Sequence, residues 1–231
     1  MRKFNITGPC TGTKHYMADI SGKIATIKAL IDDREYFTIN RARQYGKTTT
    51  INELRLRLAD EYLCLWISFE GLGDVPFASD KAFCATFMRM IQSALRFTVV
   101  KDDKDYIANW VNPEVVGFEE LDAHITRMCE GYKILLMIDE VDRTSSNRVF
   151  LHFIGMLRDK YIQSGMALGY TFHSVILVGV YDIRNLKLKL IKEGDYTPAA
   201  NEGKLYNSPW NIAAPFTVDM SFNPAEIATM L

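Results

Sequence analysis

Residues 36–50 constrain the fold more than any other stretch, because they join a strand pattern to a helix pattern through a short loop. Residues 36–40 favour a strand, and apolar residues recur at helical spacing from Ile51 to Leu58. The loop between them ends in the tripeptide Gly-Lys-Thr at 46–48. Strand, loop, Gly-Lys-Thr and helix in this order are typical of a phosphate-binding loop.

The chemistry of such a loop follows from the start of the helix. The first turn carries free N–H groups and the positive end of the helix dipole, so it attracts anions. Gly46 lets the backbone approach a phosphate, Lys47 can reach the β and γ oxygens, and the Thr48 hydroxyl can bind Mg²⁺. We therefore expect a nucleotide to contact Arg41, Ala42, Arg43, Gln44, Tyr45, Gly46, Lys47, Thr48 and Thr49.

One position departs from the full motif, which has a glycine five residues before Gly46. This sequence has Arg41 there. Gly-Lys-Thr alone arises often by chance, so an ordinary corner between a strand and a helix remains the alternative.

A second element supplies the acids that a magnesium-dependent phosphate site needs. The apolar residues 134–138 read as a buried strand, and Asp139 and Glu140 follow it directly. Ligands gather at the carboxyl ends of the strands in parallel sheets, so these acids and the loop at 41–47 should face one another. Asp139 would hold Mg²⁺ and Glu140 would act as general base on a water molecule. The alternative is a solvated strand end with Asp139 capping a turn.

Strand and helix patterns alternate along the rest of the chain. Helices are predicted at 20–31, 79–97, 118–128 and 149–163, and strands at 36–40, 62–69, 133–140, 174–180 and 216–222. Buried strands separated by helices imply an α/β fold with a parallel sheet covered on both faces.

The last residues of the sequence show the pattern of a helix N-terminus. Asn223 is a good N-cap, Pro224 suits the first turn, and Glu226 follows. A helix of about two turns is marginal by itself, so we expect a truncated piece or a missing helical segment.

Composition and net charge limit the partners and the cellular compartment that we expect. The net charge is −1, which gives no support for a nucleic-acid surface. There is no apolar signal sequence and no apolar run long enough to cross a membrane, so we expect a cytoplasmic protein. The four cysteines show no zinc spacing and suit a reducing compartment: Cys10, Cys64, Cys84 and Cys129.

Residues 41–48, R-A-R-Q-Y-G-K-T, resemble the loop R-P-R-R-F-G-K-S of a bacterial AAA-ATPase-like family within the AAA-like and STAND P-loop ATPases. In that family an arginine also replaces the first glycine. The resemblance covers about residues 5–231. It implies a three-layer P-loop NTPase fold with sheet order 5-1-4-3-2, an ATPase core at 1–222 and the start of a truncated helical lid at 223–231.

The resemblance also implies ATP and Mg²⁺ as ligands. It places Tyr16 or His15 near the adenine and Arg184 or Asn185 at a γ-phosphate sensor, although packed or solvated roles remain open for these residues. Family members often continue into a lid, and some into a PD-(D/E)xK nuclease-like domain, so an attached effector domain is one possible partner. Self-association is another, with Arg143 or Arg158 acting on a neighbouring subunit; helix-surface salt bridges are the alternative for both arginines.

Three functions fit these features. The first is an ATPase that drives a conformational switch, with Lys47 and Glu140 as catalytic residues. The second is a nucleotide-binding switch or degenerate remnant without turnover, and the third is a P-loop phosphotransferase. The sequence lacks an Asn-Lys-x-Asp guanine motif, which favours ATP over GTP, and it also lacks G-x-S-x-G and H-x-x-x-H motifs. A nuclease-like Glu202-Gly-Lys204 lies in a predicted loop rather than a strand.

Overall fold

Four strands form one parallel sheet in the order β1-β4-β3-β2. The strands are β1 (Phe37–Asn40), β2 (Leu63–Ser68), β3 (Ile134–Asp139) and β4 (Ser174–Gly179). All three neighbouring pairs are parallel. This computed structural model describes residues 2–5, 10–42, 45–98, 115–144, 148–180 and 210–230.

Helices connect and cover the strands. They are α1 (Ser21–Asp32), α2 (Lys47–Arg57), α3 (Asp80–Phe97), α4 (Phe118–Cys129), α5 (Arg148–Gly165) and α6 (Pro224–Ala228). Short 3-10 turns lie at Val75–Phe77 and Val141–Thr144. The predicted helices and the first four predicted strands are confirmed within a few residues. No helix in the described part of the chain is both long and apolar enough to cross a membrane.

The two faces of the sheet bury different sets of apolar residues. Alternate residues of a strand point to opposite faces, and all of β3 is buried. Ile134, Leu136 and Ile138 pack with α3, α4 and α5, whereas Leu135 and Met137 pack with α1 and α2. The fold is therefore a sheet between two helical layers, as the alternating pattern predicts.

The predicted fifth strand is wrong. Residues 216–222, all of them described, form no strand, and the described sheet has the order 1-4-3-2 rather than 5-1-4-3-2. The segment still runs beside β1, where Ala214 donates its N–H to the Tyr36 carbonyl at 2.8 Å and forms a single bridge with Phe37. The pairing ends after one bridge: Pro215 follows directly, and its ring fixes φ at about −65°, away from ordinary strand geometry.

The predicted helix start at residue 223 is confirmed. Asn223 accepts a hydrogen bond from the Glu226 N–H, and the Glu226 carboxylate accepts the Asn223 N–H, which forms a capping box. Glu226 also pairs with Lys23 at 2.6 Å, and the backbone N–H of Asp19 donates to the Thr229 hydroxyl. These contacts hold α6 against the start of α1.

Candidate functional site

Gly46 closes the loop after β1 in a conformation that suits glycine. Its φ of 68° and ψ of 16° lie in the left-handed region, and it is the N-cap of α2. Its carbonyl accepts the first helical hydrogen bond, from the Thr50 N–H at 2.8 Å. The turn therefore places Lys47 in the first position of the helix, directly behind the loop.

Lys47 is buried, with 8% of its surface exposed. Its ammonium group donates to the backbone carbonyls of Arg41 at 2.8 Å and Ala42 at 3.0 Å. The positive charge is thus held by backbone oxygens at the carboxyl end of β1.

Thr48 and Asp139 join the two predicted halves of the site. The Thr48 hydroxyl donates to Oδ2 of Asp139 at 3.0 Å. Thr48 lies in the first turn of α2, and Asp139 is the last residue of β3. The prediction that the loop and the acids face one another is therefore confirmed.

Asp139 is the buried acid of the site, with 3% of its surface exposed. Burial raises the pKa of this carboxyl above its ordinary value, and the charge of Glu70 adds to the rise. The Thr48 hydroxyl, the Glu140 N–H and the charge of Lys47 act in the opposite direction. Because ionisation is costly here, the anionic form would gain from a nearby cation.

Glu140 has an unusual backbone. Its φ of 55° lies in the left-handed region, which a residue with a side chain adopts at a cost. Its N–H donates to Oδ1 of Asp139 at 2.9 Å, which fixes the peptide between the two acids. Strain of this kind concentrates at functional sites. The half-buried Glu140 side chain follows directly after the metal-ligand candidate.

Asp142 is a site residue that the sequence interpretation missed. Its carboxylate accepts a hydrogen bond from the Val180 N–H and lies against Gly179, at the carboxyl end of β4. It therefore links the turn after β3 to the neighbouring strand. The signal in the sequence was its spacing, since it stands only two residues beyond Glu140 in a run of acids.

The Arg41 side chain points to the C-terminal segment. Its guanidinium donates to the carbonyl of Asn40 at 2.9 Å and to that of Val218 at 3.0 Å, and it lies 5.6 Å from the centre of the Phe216 ring. The sequence predicts that Arg41 contacts a nucleotide. The part of Arg41 that contacts the Gly-Lys-Thr residues is its backbone carbonyl, which accepts a hydrogen bond from Lys47.

The N-terminal segment contacts α2, the helix that begins at Lys47. The backbone N–H of Cys10 donates to the Thr49 hydroxyl at 3.2 Å. The ring of Tyr16 packs on Phe4 with 4.9 Å between centroids, and Nδ1 of His15 accepts the Thr11 N–H at 3.0 Å. These contacts agree with the packed roles that the sequence leaves open for Tyr16 and His15, and the placement near an adenine stays a prediction.

The remaining predicted residues divide into two groups. Tyr45 is exposed on the loop, and Arg158 bonds to Asn211 at 2.8 Å and lies 3.7 Å from Asp159. The others lie outside the part of the chain whose side chains are described: Arg43, Gln44, Arg143, Arg184, Asn185, Glu202 and Lys204.

The donor set suits magnesium bound together with a phosphate. Thr48 and Asp139 offer the oxygen ligands that Mg²⁺ prefers, and Mg²⁺ at nucleotide sites takes one or two protein ligands plus phosphate oxygens and water. Within the described ranges there is no group of three His, Cys, Asp or Glu residues that could hold a metal by itself. No protein-family model and no curated protein matches the sequence.

Proposed function

We propose that this chain binds ATP with Mg²⁺ at the loop of residues 41–49 and hydrolyses it to drive a conformational switch. The observation that carries the proposal is the 3.0 Å hydrogen bond between Thr48 and Asp139. It brings a Gly-Lys-Thr helix start and a buried strand-end acid into one site, as phosphoryl-transfer chemistry requires.

Each side chain has a role set by its position. Lys47 would bind the β and γ oxygens of ATP, together with the free N–H groups at the start of α2. Thr48 and Asp139 would hold Mg²⁺, which neutralises charge on the phosphates. These groups orient the triphosphate, since positioning and charge stabilisation supply most of the catalysis in this reaction class.

Glu140 would act on the attacking water. The water oxygen forms a bond to the γ-phosphorus, the bond from that phosphorus to the β–γ bridging oxygen breaks, and the proton of the water passes to the Glu140 carboxylate. Glu140 follows Asp139 in the chain. Its N–H donates a hydrogen bond of 2.9 Å to the Asp139 carboxylate, and this bond fixes the Glu140 backbone. A general base adjacent to the metal ligand suits this step.

The sheet order supports a P-loop NTPase of the AAA-like type. The loop follows β1, the acids follow β3, and β4 lies between these strands. This agrees with the 1-4-3-2 part of the order that the resemblance implies. Residues 214–218 lie beside β1, on the side where a fifth strand would stand. A lid, an effector domain, self-association and a cytoplasmic location belong to the same proposal.

The test measures ATP binding by calorimetry and phosphate release on the same samples. We expect Lys47→Ala to weaken binding at least about tenfold, because a charge-assisted contact to phosphate is lost. Glu140→Gln should keep binding and slow phosphate release by about 10²-fold or more. Lys28→Ala is the matched control, because Lys28 pairs with Asp32 and Glu61 on the surface of α1.

The outcomes separate the candidate functions. No binding of ATP at millimolar concentration would overturn the proposal. Binding without phosphate release in the wild type would support the nucleotide-binding switch instead. Transfer of phosphate to a small-molecule acceptor rather than to water would support the phosphotransferase.

A further inference from the structure

Arg41 connects three parts of the molecule through its backbone and side chain. Its N–H donates to the Gly179 carbonyl at 3.2 Å, which extends the pairing of β1 with β4 by one bond. Its carbonyl accepts from the Lys47 ammonium at 2.8 Å. Its guanidinium reaches the carbonyl of Val218 in the C-terminal segment at 3.0 Å.

The contact with the C-terminal segment is built from several interactions. The guanidinium also donates to the Asn40 carbonyl at 2.9 Å and lies 5.6 Å from the centroid of the Phe216 ring. The Phe216 ring in turn stacks on Phe37 in β1, with 5.8 Å between centroids and 2° between planes. Residues 214–218 form only one bridge with β1. The side chains of Arg41 and Phe216 therefore carry much of the attachment of this segment to β1.

We propose that Arg41 is a positioning residue that couples nucleotide binding at the loop to the attachment of residues 214–218 along β1. The inference rests on the proposed function, because it requires a phosphate to contact Lys47. It adds a route by which the site would act on the rest of the chain.

The coupling follows from competition for one ammonium group. Lysine has three donor hydrogens, and Lys47 directs bonds to the carbonyls of Arg41 and Ala42. Bonds to both the β and γ oxygens would bring the number of acceptors to four, so the ammonium must give up at least one carbonyl in favour of the charged, stronger phosphate acceptors. The Arg41 carbonyl then loses a charge-assisted hydrogen bond, and the Arg41 backbone relaxes. The hydrogen bond from its guanidinium to the Val218 carbonyl weakens as a result.

The first measurement is hydrogen exchange of the full chain with and without a magnesium complex of a non-hydrolysable ATP analogue. We expect amides of residues 214–218, among them the Ala214 N–H that donates to Tyr36, to exchange about threefold to tenfold faster with the analogue, the range of a modest coupling energy. Exchange that is unchanged or slower in this segment would overturn the coupling.

The second measurement uses the reciprocity of linked equilibria. If the nucleotide loosens the segment, loosening the segment must strengthen nucleotide binding, by up to the same factor. Phe216→Ala removes the ring beneath the guanidinium and should lower the Kd for the analogue about threefold to tenfold. Phe222→Ala is the matched control, since Phe222 lies beyond residues 214–218 and contacts Lys23 of α1, and its Kd should equal that of the wild type.

The two proposals fail in different ways. If the wild type binds no nucleotide, the proposed function itself is overturned. If the wild type binds but Phe216→Ala binds no more tightly, only the coupling is overturned. Phe216→Leu, which keeps apolar volume, replaces the alanine variant if that variant does not fold, and the exchange measurement on the wild type needs no variant.

Discussion

The carboxylate of Asp142 fills the space beside Gly179 in which a β-carbon would lie. A β-carbon built on Gly179 would stand 2.8 Å from both carboxylate oxygens, closer than real contacts allow. The same carboxylate accepts the Val180 N–H, so it has little freedom to withdraw. This contact fixes the turn after β3 to the end of β4.

Gly179→Ala should therefore destabilise the fold by about 1–3 kcal/mol, the usual cost of overpacking. Denaturant unfolding followed by circular dichroism measures the change. Gly155→Ala in α5 is the control, because no atom outside its own helix backbone lies within 4 Å of the added β-carbon. Alanine there should stabilise by about 0.5–1 kcal/mol. Equal stability of the two variants would contradict the contact.

Asp139→Asn should stabilise the protein at neutral pH by about 1 kcal/mol while removing the proposed magnesium ligand. Burial raises the pKa of Asp139, so the folded state holds a proton more tightly than the unfolded state does. The stability that this carboxyl contributes is thus fully present below its unfolded pKa and is lost as pH rises through the folded pKa. An asparagine carries no such cost, because its oxygen can accept from Glu140 and its amide can donate to Thr48.

Unfolding curves at several pH values check the sign of this effect. The advantage of the asparagine variant should be largest at neutral pH and vanish in acid, below the ordinary carboxyl pKa, where Asp139 is neutral in both states. An advantage that grows as pH falls would show that burial does not dominate at this carboxyl.

Glu140→Gly should be more stable than Glu140→Gln by about 1 kcal/mol. Glutamine keeps the side chain on a backbone with φ of 55°, whereas glycine adopts this conformation at no steric cost. Both variants should lose phosphate release under the proposed function. Thermal unfolding of the two proteins side by side gives the comparison, and equal midpoints would mean that the backbone stores no strain.

Trp210→Ala should cost about 3–5 kcal/mol, because Trp210 is fully buried. Its indole N–H donates to the Thr38 hydroxyl at 3.1 Å, and its ring stacks on Tyr36. Trp210→Phe keeps a ring but loses the bond, at a cost of about 1–2 kcal/mol. Phe97→Ala at an exposed position should change stability by less than about 0.5 kcal/mol. A small loss for Trp210→Ala would show that residues 210–214 contribute little to the folded core.

The elements that the sequence predicted are those whose signal is local. The buried strands appear as apolar runs, and the capping box at Asn223 uses residues three positions apart. Lys47, Thr48 and Asp139 were found because a motif and a strand end mark them. Their proximity followed from the rule that parallel strands present their carboxyl ends at one edge.

The errors concern contacts between distant parts of the chain. The alternation at 216–222 reflects real burial, since Val218 and Met220 are inside, but burial does not require a hydrogen-bonded ladder. The partner of the Arg41 guanidinium is a carbonyl 177 residues away, and no local pattern encodes it. Asp142 was missed because its role depends on Val180, which follows the end of β4.

The pairing of β1 with β4 has a consequence for synthesis of the chain. Among the described strands β1 has β4 as its ladder partner, with Phe37 opposite Ile176. The first of these strands to be translated therefore cannot pair until the last one has been made. Until that partner leaves the ribosome, the apolar side chains of β1 have no sheet to join. A chaperone that binds nascent apolar segments would compete for Phe37 and Ile39 during this interval with the neighbouring helices α1 and α2.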